Sequence, residues 1–110
     1  MAKMLDFRKS KKPTLPVTLD DDLVINIYTP DKALLEELLD AQNDIRSLSD
    51  DNDREKLDAL YDMCARIMSN NREKREFDSE EIEEYFDTRD VVRLIRAYTE
   101  FVAEVSSAKN

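Results

Sequence analysis

The fold is decided by one stretch, TLPVTLDDDLVINIY at positions 14–28. Apolar residues occupy every second position in two runs, which are Leu15, Val17 and Leu19 and then Leu23, Ile25 and Ile27. The acidic run Asp20–Asp22 separates them. Alternation with a period of two residues is typical of half-buried strands, so the stretch predicts a β-hairpin. Pro16 has no N–H for a ladder hydrogen bond, and its strand is therefore expected to be an edge strand.

The spacing of apolar residues changes after Tyr28, and the rest of the chain is predicted to be helical. Beyond this point apolar residues recur every three or four positions, which is the period of an amphipathic helix. The pattern predicts helices over about residues 30–48, 52–70, 79–86 and 89–105. The predicted fold class is therefore α+β, with an N-terminal β-hairpin followed by a predominantly helical domain of about four helices.

Residues with capping preferences set the predicted helix ends. Thr29 is expected to cap the first helix, with Pro30 at its first position, where a missing N–H costs nothing. Asp50 or Asp51 is expected to cap the second helix. The pair Asn70–Asn71 is expected to end it, because Asn adopts the left-handed conformation more readily than most residues.

Charge is distributed unevenly along the chain. The 110 residues include 17 basic and 26 acidic side chains and carry a net charge of −9. Residues 1–12 contain five basic residues and one acidic residue, a net charge of +4, so residues 13–110 carry −13. We expect residues 1–12 to form a basic, flexible arm and residues 13–107 to form a single domain. A contact of the arm with RNA, anionic lipid or the acidic body stays open as an alternative.

The residue types exclude most enzyme classes. The chain contains no histidine, no glycine and one cysteine, so it lacks the parts of a serine triad, a cysteine–histidine pair and a glycine-rich phosphate loop. The acidic stretch 50–53 is partly like a calcium loop, but Lys56 and Asp62 stand where such a loop needs Gly and Glu. We therefore predict a protein that is not an enzyme, with no catalytic, cofactor-binding or metal-binding residue and no cofactor.

The same composition predicts a location and excludes two classes of partner. No apolar run approaches the ~18 residues of a membrane span, and an acidic body repels the phosphates of nucleic acid. Neither a membrane nor a nucleic acid is therefore expected as a partner. Cys64 has no second cysteine to pair with, which favours a reducing compartment, the cytoplasm.

Five apolar side chains are candidates for contact with a partner: Met63, Met68, Tyr85, Phe86 and Phe101. The alternative is that they belong to the core, the commoner place for apolar residues at helical spacing. The functional interpretation is an apolar groove that receives a helix of the partner, for which these side chains are suited. Met63 and Phe101 are the first to suspect, because a narrow apolar stripe does not bury them. Phe101→Glu is then expected to weaken binding without unfolding the domain.

Several short segments of the chain resemble one family of small phage proteins. They are MLDFRKSKKPTL at residues 4–15, VTLDD at 17–21, YTPDKAL at 28–34, IMSNN at 67–71 and AYTEF at 97–101. In these segments, and in the order of its elements, the chain is similar to the tail assembly chaperones of long-tailed phages and prophages of low-GC Gram-positive bacteria. The resemblance covers nearly the whole chain.

The resemblance implies a role in virion morphogenesis in the cytoplasm of the host bacterium. Chaperones of this family coat the long, helical, aggregation-prone tape measure protein before the tail tube closes around it, and they help to recruit tail tube subunits. The family has no catalytic residues. The expected protein is thus a non-enzymatic chaperone whose partners are the tape measure protein and the tail tube protein, and we expect it to form a homo-oligomer.

A second function stays open. The charge of residues 13–110 also suits a small acidic adaptor or inhibitor that mimics the charge of nucleic acid and binds a basic partner. Ionic strength separates the two functions. Binding by such an adaptor should weaken strongly with added salt, whereas the apolar contacts of a chaperone should depend on it less.

Overall fold

The computed structural model describes Leu5, Phe7, Arg8 and residues 12–47 and 54–107. Within these ranges the chain forms an antiparallel hairpin followed by four helices, so the predicted α+β fold is confirmed. The strands are β1 (Thr14–Asp20) and β2 (Leu23–Tyr28). The helices are α1 (Lys32–Arg46), α2 (Arg54–Ser69), α3 (Ser79–Tyr85) and α4 (Thr88–Ser107).

The hairpin forms where the alternating pattern predicts it. Leu15 pairs with Ile27 and Val17 pairs with Ile25. Ile25 and Ile27 of β2 are fully buried, and the apolar side chains of β1 are half-buried against the same core. Burial of one face fixes the register, because a slip of one residue would turn the apolar side chains towards solvent.

The outer edge of β2 is covered by the segment that follows α2. The N–H of Tyr28 donates to the carbonyl of Asn70 at 2.8 Å, and the N–H of Arg72 donates to the carbonyl of Asn26 at 2.9 Å. The carboxylate of Glu73 accepts from the backbone N–H and the side-chain amide of Asn26, at 2.9 and 2.7 Å. Within the described ranges β1 is therefore the open edge of the sheet.

The first helix begins later than predicted. Asp31, not Thr29, is the N-cap of α1, and its carboxylate accepts the N–H of Leu34 at 2.9 Å. A carboxylate at this position satisfies a free N–H and also interacts with the positive end of the helix, which a hydroxyl group does not. The prediction of Thr29 as cap and Pro30 as the first helical residue is therefore wrong.

The remaining helix ends lie within two residues of their predicted positions. α1 ends at Arg46, α3 ends at Tyr85, and α4 begins at Thr88 and continues to Ser107. The predicted caps Asp50 and Asp51 lie outside the described residues. So does most of the predicted basic arm, residues 1–12.

The end of α2 agrees with the prediction in position but not in mechanism. Among the described residues only Lys74 has a positive φ, of 60°, so Asn70 and Asn71 do not adopt the left-handed conformation. The side-chain amide of Asn71 instead donates to the carbonyls of Met68 and Arg75, and its oxygen accepts the N–H of Arg75 at 3.0 Å. Side-chain hydrogen bonds thus take the place of a glycine cap.

One core joins the sheet to the helices. α2 contacts β2 and each of the other three helices. The largest fully buried side chains come from β2 and all four helices: Ile25, Ile27, Leu38, Leu60, Ile67, Met68, Ile82, Val91, Ile95 and Tyr98. Outside this core, the described residues present an open edge at β1 and clefts between the packed elements.

Candidate partner-binding surfaces

Two of the five predicted partner contacts are buried in the core. Met63 and Met68 expose 4% and 0% of their surface. Met63 lies outside the narrow apolar stripe of α2, but α2 contacts three helices and the sheet, so a wider face of it is buried. The expectation that Met63 escapes the core is therefore wrong, and neither methionine is open to a partner while the core is closed.

Phe101 lies between the core and solvent. It is half-buried, packs against the core, and its ring stacks on that of Tyr98 with 6.2 Å between the centroids. Because Tyr98 is itself fully buried, Phe101 supports a core side chain from outside. A charge at Phe101 is expected to cost stability.

Tyr85 and Phe86 line a cleft of about 680 Å³ between α2 and the junction of α3 with α4. We call it the acidic aromatic cleft. Its lining residues are Leu57, Asp58, Tyr61, Glu83, Glu84, Tyr85, Phe86, Asp87, Thr88 and Asp90. The hydroxyl oxygens of Tyr61 and Thr88 lie 3.3 Å apart, which links α2 to the start of α4 across the cleft.

The junction between α3 and α4 holds one side of this cleft in place. Phe86 is extended, and its N–H donates to the carbonyl of Ile82 at 2.8 Å, which closes the last turn of α3. The N–H of Asp90 donates to the carboxylate of Asp87 at 2.8 Å, and the N–H of Asp87 donates back to that of Asp90 at 3.1 Å. This reciprocal pairing is a capping box, and it fixes both carboxyl groups beside the cleft.

The charge of the cleft is of one sign. Five carboxyl groups line it, and no Lys or Arg does: Asp58, Glu83, Glu84, Asp87 and Asp90. Such a cleft attracts cations, and the rings of Tyr61, Tyr85 and Phe86 offer apolar and cation–π contacts to Lys and Arg side chains. The arrangement suits a partner segment that is both apolar and basic.

A second cleft, of about 390 Å³, lies between β1 and α4. We call it the β1–α4 groove. Its lining residues are Leu15, Pro16, Val17, Thr18, Leu19, Tyr85, Phe86, Asp90, Arg93, Leu94 and Ala97. Its charged groups are one carboxyl and one guanidinium group, so it is less acidic than the first cleft. Tyr85, Phe86 and Asp90 line both clefts.

Cys64 is the one thiol of the chain and lies in the core. Its surface is fully buried, and its Sγ lies 3.6 Å from the carbonyl of Val91. Burial raises the pKa of the Cys64 thiol to about 12. A thiol that stays protonated at neutral pH is a poor nucleophile, so Cys64 is a packing residue.

Two other kinds of feature are absent from the described residues. The described residues include no group of three or more side chains placed to hold a metal ion. Of the helices in the described ranges, none is long and apolar enough to cross a bilayer.

Neither a protein-family model, nor a curated protein, nor a solved structure matches the chain.

Sequence reasoning identified one side of the acidic aromatic cleft and missed the other. Tyr85 and Phe86 are predicted partner contacts because they are aromatic side chains suited to an apolar groove that receives a helix. Leu57 and Tyr61 follow the apolar stripe of α2, which indicates burial rather than a surface role. Only the packing of α2 against the α3–α4 junction brings Asp58 alongside the carboxyl groups of α3.

Proposed function

We propose that this protein is a non-enzymatic assembly chaperone of phage tail morphogenesis, which binds the tape measure protein and helps to recruit tail tube subunits. The observation that carries the proposal is the acidic aromatic cleft, in which one leucine and three aromatic side chains lie among five carboxyl groups. The resemblance to tail assembly chaperones supplies the identity of the partners. The protein then works in the host cytoplasm and needs no cofactor, membrane or nucleic acid.

The cleft suits a segment of an amphipathic helix. Leu57 and the rings of Tyr61 and Phe86 offer contacts to the apolar face of such a helix, as in other helix-in-groove complexes. The carboxyl groups around them favour Lys or Arg at the borders of that face. A long helical client is shielded at such segments, and the net charge of −9 keeps the complex soluble.

The test is co-expression with a long helical tape measure protein. We expect that protein to stay soluble with the wild-type chain and to precipitate with Leu57→Glu, which places a charge in the apolar part of the cleft. Leu39→Glu is the matched control, because Leu39 is an α1 side chain that is 57% exposed and lies outside the cleft. Circular dichroism of both variants shows whether each is folded.

Two results would contradict the proposal at different levels. If the wild-type chain leaves the long helical protein insoluble, the chaperone function is wrong. If Leu39→Glu abolishes solubilisation and Leu57→Glu does not, the function stands but the cleft is the wrong surface.

A second candidate function is favoured by the carboxyl groups themselves. A small acidic adaptor or inhibitor that mimics nucleic acid would use them to hold a basic partner. Its binding should be lost between about 0.05 and 0.5 M NaCl, and Asp58→Asn with Glu84→Gln should abolish it while Leu57→Ala has little effect. The chaperone function predicts the opposite order, with Leu57→Ala the more harmful change.

A further inference from the structure

We propose that the acidic aromatic cleft and the β1–α4 groove receive one continuous segment of the partner, which is basic where it lies in the cleft and is apolar with an acidic side chain where it lies in the groove. Arg93 then determines the direction in which the segment lies. The inference rests on the proposed function, because it specifies the partner segment that the cleft binds. It concerns the side chains that line the groove and not the backbone edge of β1.

The first step is that the two clefts are neighbours. Tyr85, Phe86 and Asp90 line both of them. Tyr85 is 37% exposed, so it is open to a partner at the point where the clefts meet. A segment that leaves the acidic aromatic cleft over these three residues therefore enters the β1–α4 groove.

The second step is that the charge changes sign between the clefts. Beyond the shared Asp90, the acidic aromatic cleft is lined by four carboxyl groups and the groove by one guanidinium group, that of Arg93. Asp90 is half-buried, and its carboxylate accepts the N–H of Asp87 at 3.1 Å. Arg93 is exposed, and among the described residues no hydrogen bond or ion pair engages it. Its guanidinium group is therefore free to bind a carboxylate of the partner.

The third step is that the groove offers apolar contact. Leu15, Val17 and Leu19 of β1 are only half-buried against the core, and Ala97 on the α4 side is exposed. Apolar side chains of the partner can cover this surface. A lysine of the partner in the groove would lie beside Arg93, and a glutamate in the acidic aromatic cleft would lie among carboxyl groups, so both positions are unfavourable. Charge thus selects a segment whose basic and acidic residues are separated along its length.

The experiment compares two kinds of synthetic amphipathic peptide of about 20 residues, which as helices are about 30 Å long. They share one leucine face and contain equal numbers of lysines and of glutamates. In the segregated peptide the lysines occupy one half and the glutamates the other, and it is made in both orders; in the mixed peptide they alternate. By isothermal titration calorimetry, we expect one order of the segregated peptide to bind the wild-type chain at least about fivefold more tightly than the mixed peptide.

The variant Arg93→Glu tests the residue that sets the direction. Its carboxylate should lie beside the glutamates of the segregated peptide and raise the Kd of that peptide at least about fivefold, and it should change the Kd of the mixed peptide less than about twofold. Replacing those glutamates by lysines should give a peptide that prefers Arg93→Glu to the wild type.

Arg89→Glu is the matched control, because Arg89 is an exposed α4 residue that lines neither cleft. It should leave the Kd of the segregated peptide within about twofold of the wild-type value. Circular dichroism shows whether each variant is folded.

Equal binding of the segregated and mixed peptides by the wild type, or binding of neither, would overturn the inference. So would a preference for the segregated peptide that Arg93→Glu leaves unchanged. The chaperone function fails on a different result, an insoluble tape measure protein beside the wild-type chain. Solubilisation that Leu57→Glu abolishes and Arg93→Glu does not affect would keep the cleft as the binding surface and overturn the role of the groove.

Discussion

Tyr98 connects the last helix to the end of the hairpin through a single side chain. It has no exposed surface, and its hydroxyl donates to the carbonyl of Tyr28 at 2.7 Å. Burial raises the pKa of Tyr98, so the phenol stays neutral and remains a donor. The ring of Phe101 stacks against it on the side towards solvent. The contact between α4 and the sheet therefore depends on both packing and one buried hydrogen bond.

Removal of that hydroxyl tests the hydrogen bond apart from the packing. Tyr98→Phe keeps the ring but removes one donor from the Tyr28 carbonyl, which still accepts from the side-chain amide of Asn70 at 3.2 Å. We expect a loss of about 1 kcal/mol in the free energy of unfolding, measured by urea denaturation with an unchanged m-value. Tyr61→Phe is the control, because the Tyr61 hydroxyl lies at the surface and solvent can replace its contact. Equal losses in the two variants would show that the Tyr98 hydrogen bond contributes no more to the free energy of unfolding than the exposed contact of Tyr61 does.

At the scale of elements, the irregular segment after α2, residues 70–73, lies beside β2 in the place of a third strand. Glu73 accepts two hydrogen bonds from Asn26 and holds this segment against β2. Desolvation works against ionisation of Glu73, but the hydrogen bonds from Asn26, the backbone hydrogen bond of Glu73 itself and the positive charge of Arg72 together outweigh it, so the pKa of Glu73 is lowered. A carboxyl group whose pKa is lowered by folding adds stability above its ordinary pKa and loses it as the pH falls through the lowered value.

The variant Glu73→Ala should therefore be less stable than the wild type at pH 7, and the difference should shrink in acid. Because the site is exposed, we expect a loss below about 1 kcal/mol at pH 7. Urea denaturation at pH 7 and near pH 3 measures the difference. Glu76→Ala removes an exposed carboxyl group from the same segment and is the control. A difference that grows in acid would contradict the assigned role of the ionised carboxylate.

The elements differ in how far their sequence predicts them. Periodicity is local, so the alternation of Leu15 to Ile27 and the helical spacing after Tyr28 suffice to predict the hairpin and the helices. The cover over β2 joins residues more than 40 positions apart, and nothing in the polar segment after Asn71 marks it. The burial of Met63 and the approach of Asp58 to α3 likewise depend on how α2 packs, which a stripe on one helix does not specify.

At the scale of the whole molecule, negative charge is concentrated rather than evenly spread. The chain carries −9, and five of its carboxyl groups line one cleft that contains no cationic side chain. Groups of like sign held close together repel each other and lower the stability of the compact state. Such an arrangement lowers the stability of the free protein and favours a basic ligand. Both effects are typical of a binding surface, where residues needed for function reduce stability.

Repulsion between the carboxyl groups of the cleft predicts how the stability of the protein responds to salt. Added salt screens repulsion, so the Tm should rise by a few degrees between about 0.02 and 0.3 M NaCl, when measured at low protein concentration to exclude self-association. Neutralising two cleft groups with Asp58→Asn and Glu84→Gln should raise the Tm at low salt and reduce its salt dependence. The control pair Glu36→Gln with Asp40→Asn neutralises two exposed α1 residues that lie outside the cleft. It should raise the Tm less and reduce the salt dependence of the Tm less. If the two pairs have equal effects, charge repulsion in the acidic aromatic cleft is no stronger than on the rest of the surface. The charge of the cleft then gives no reason to assign it a binding role.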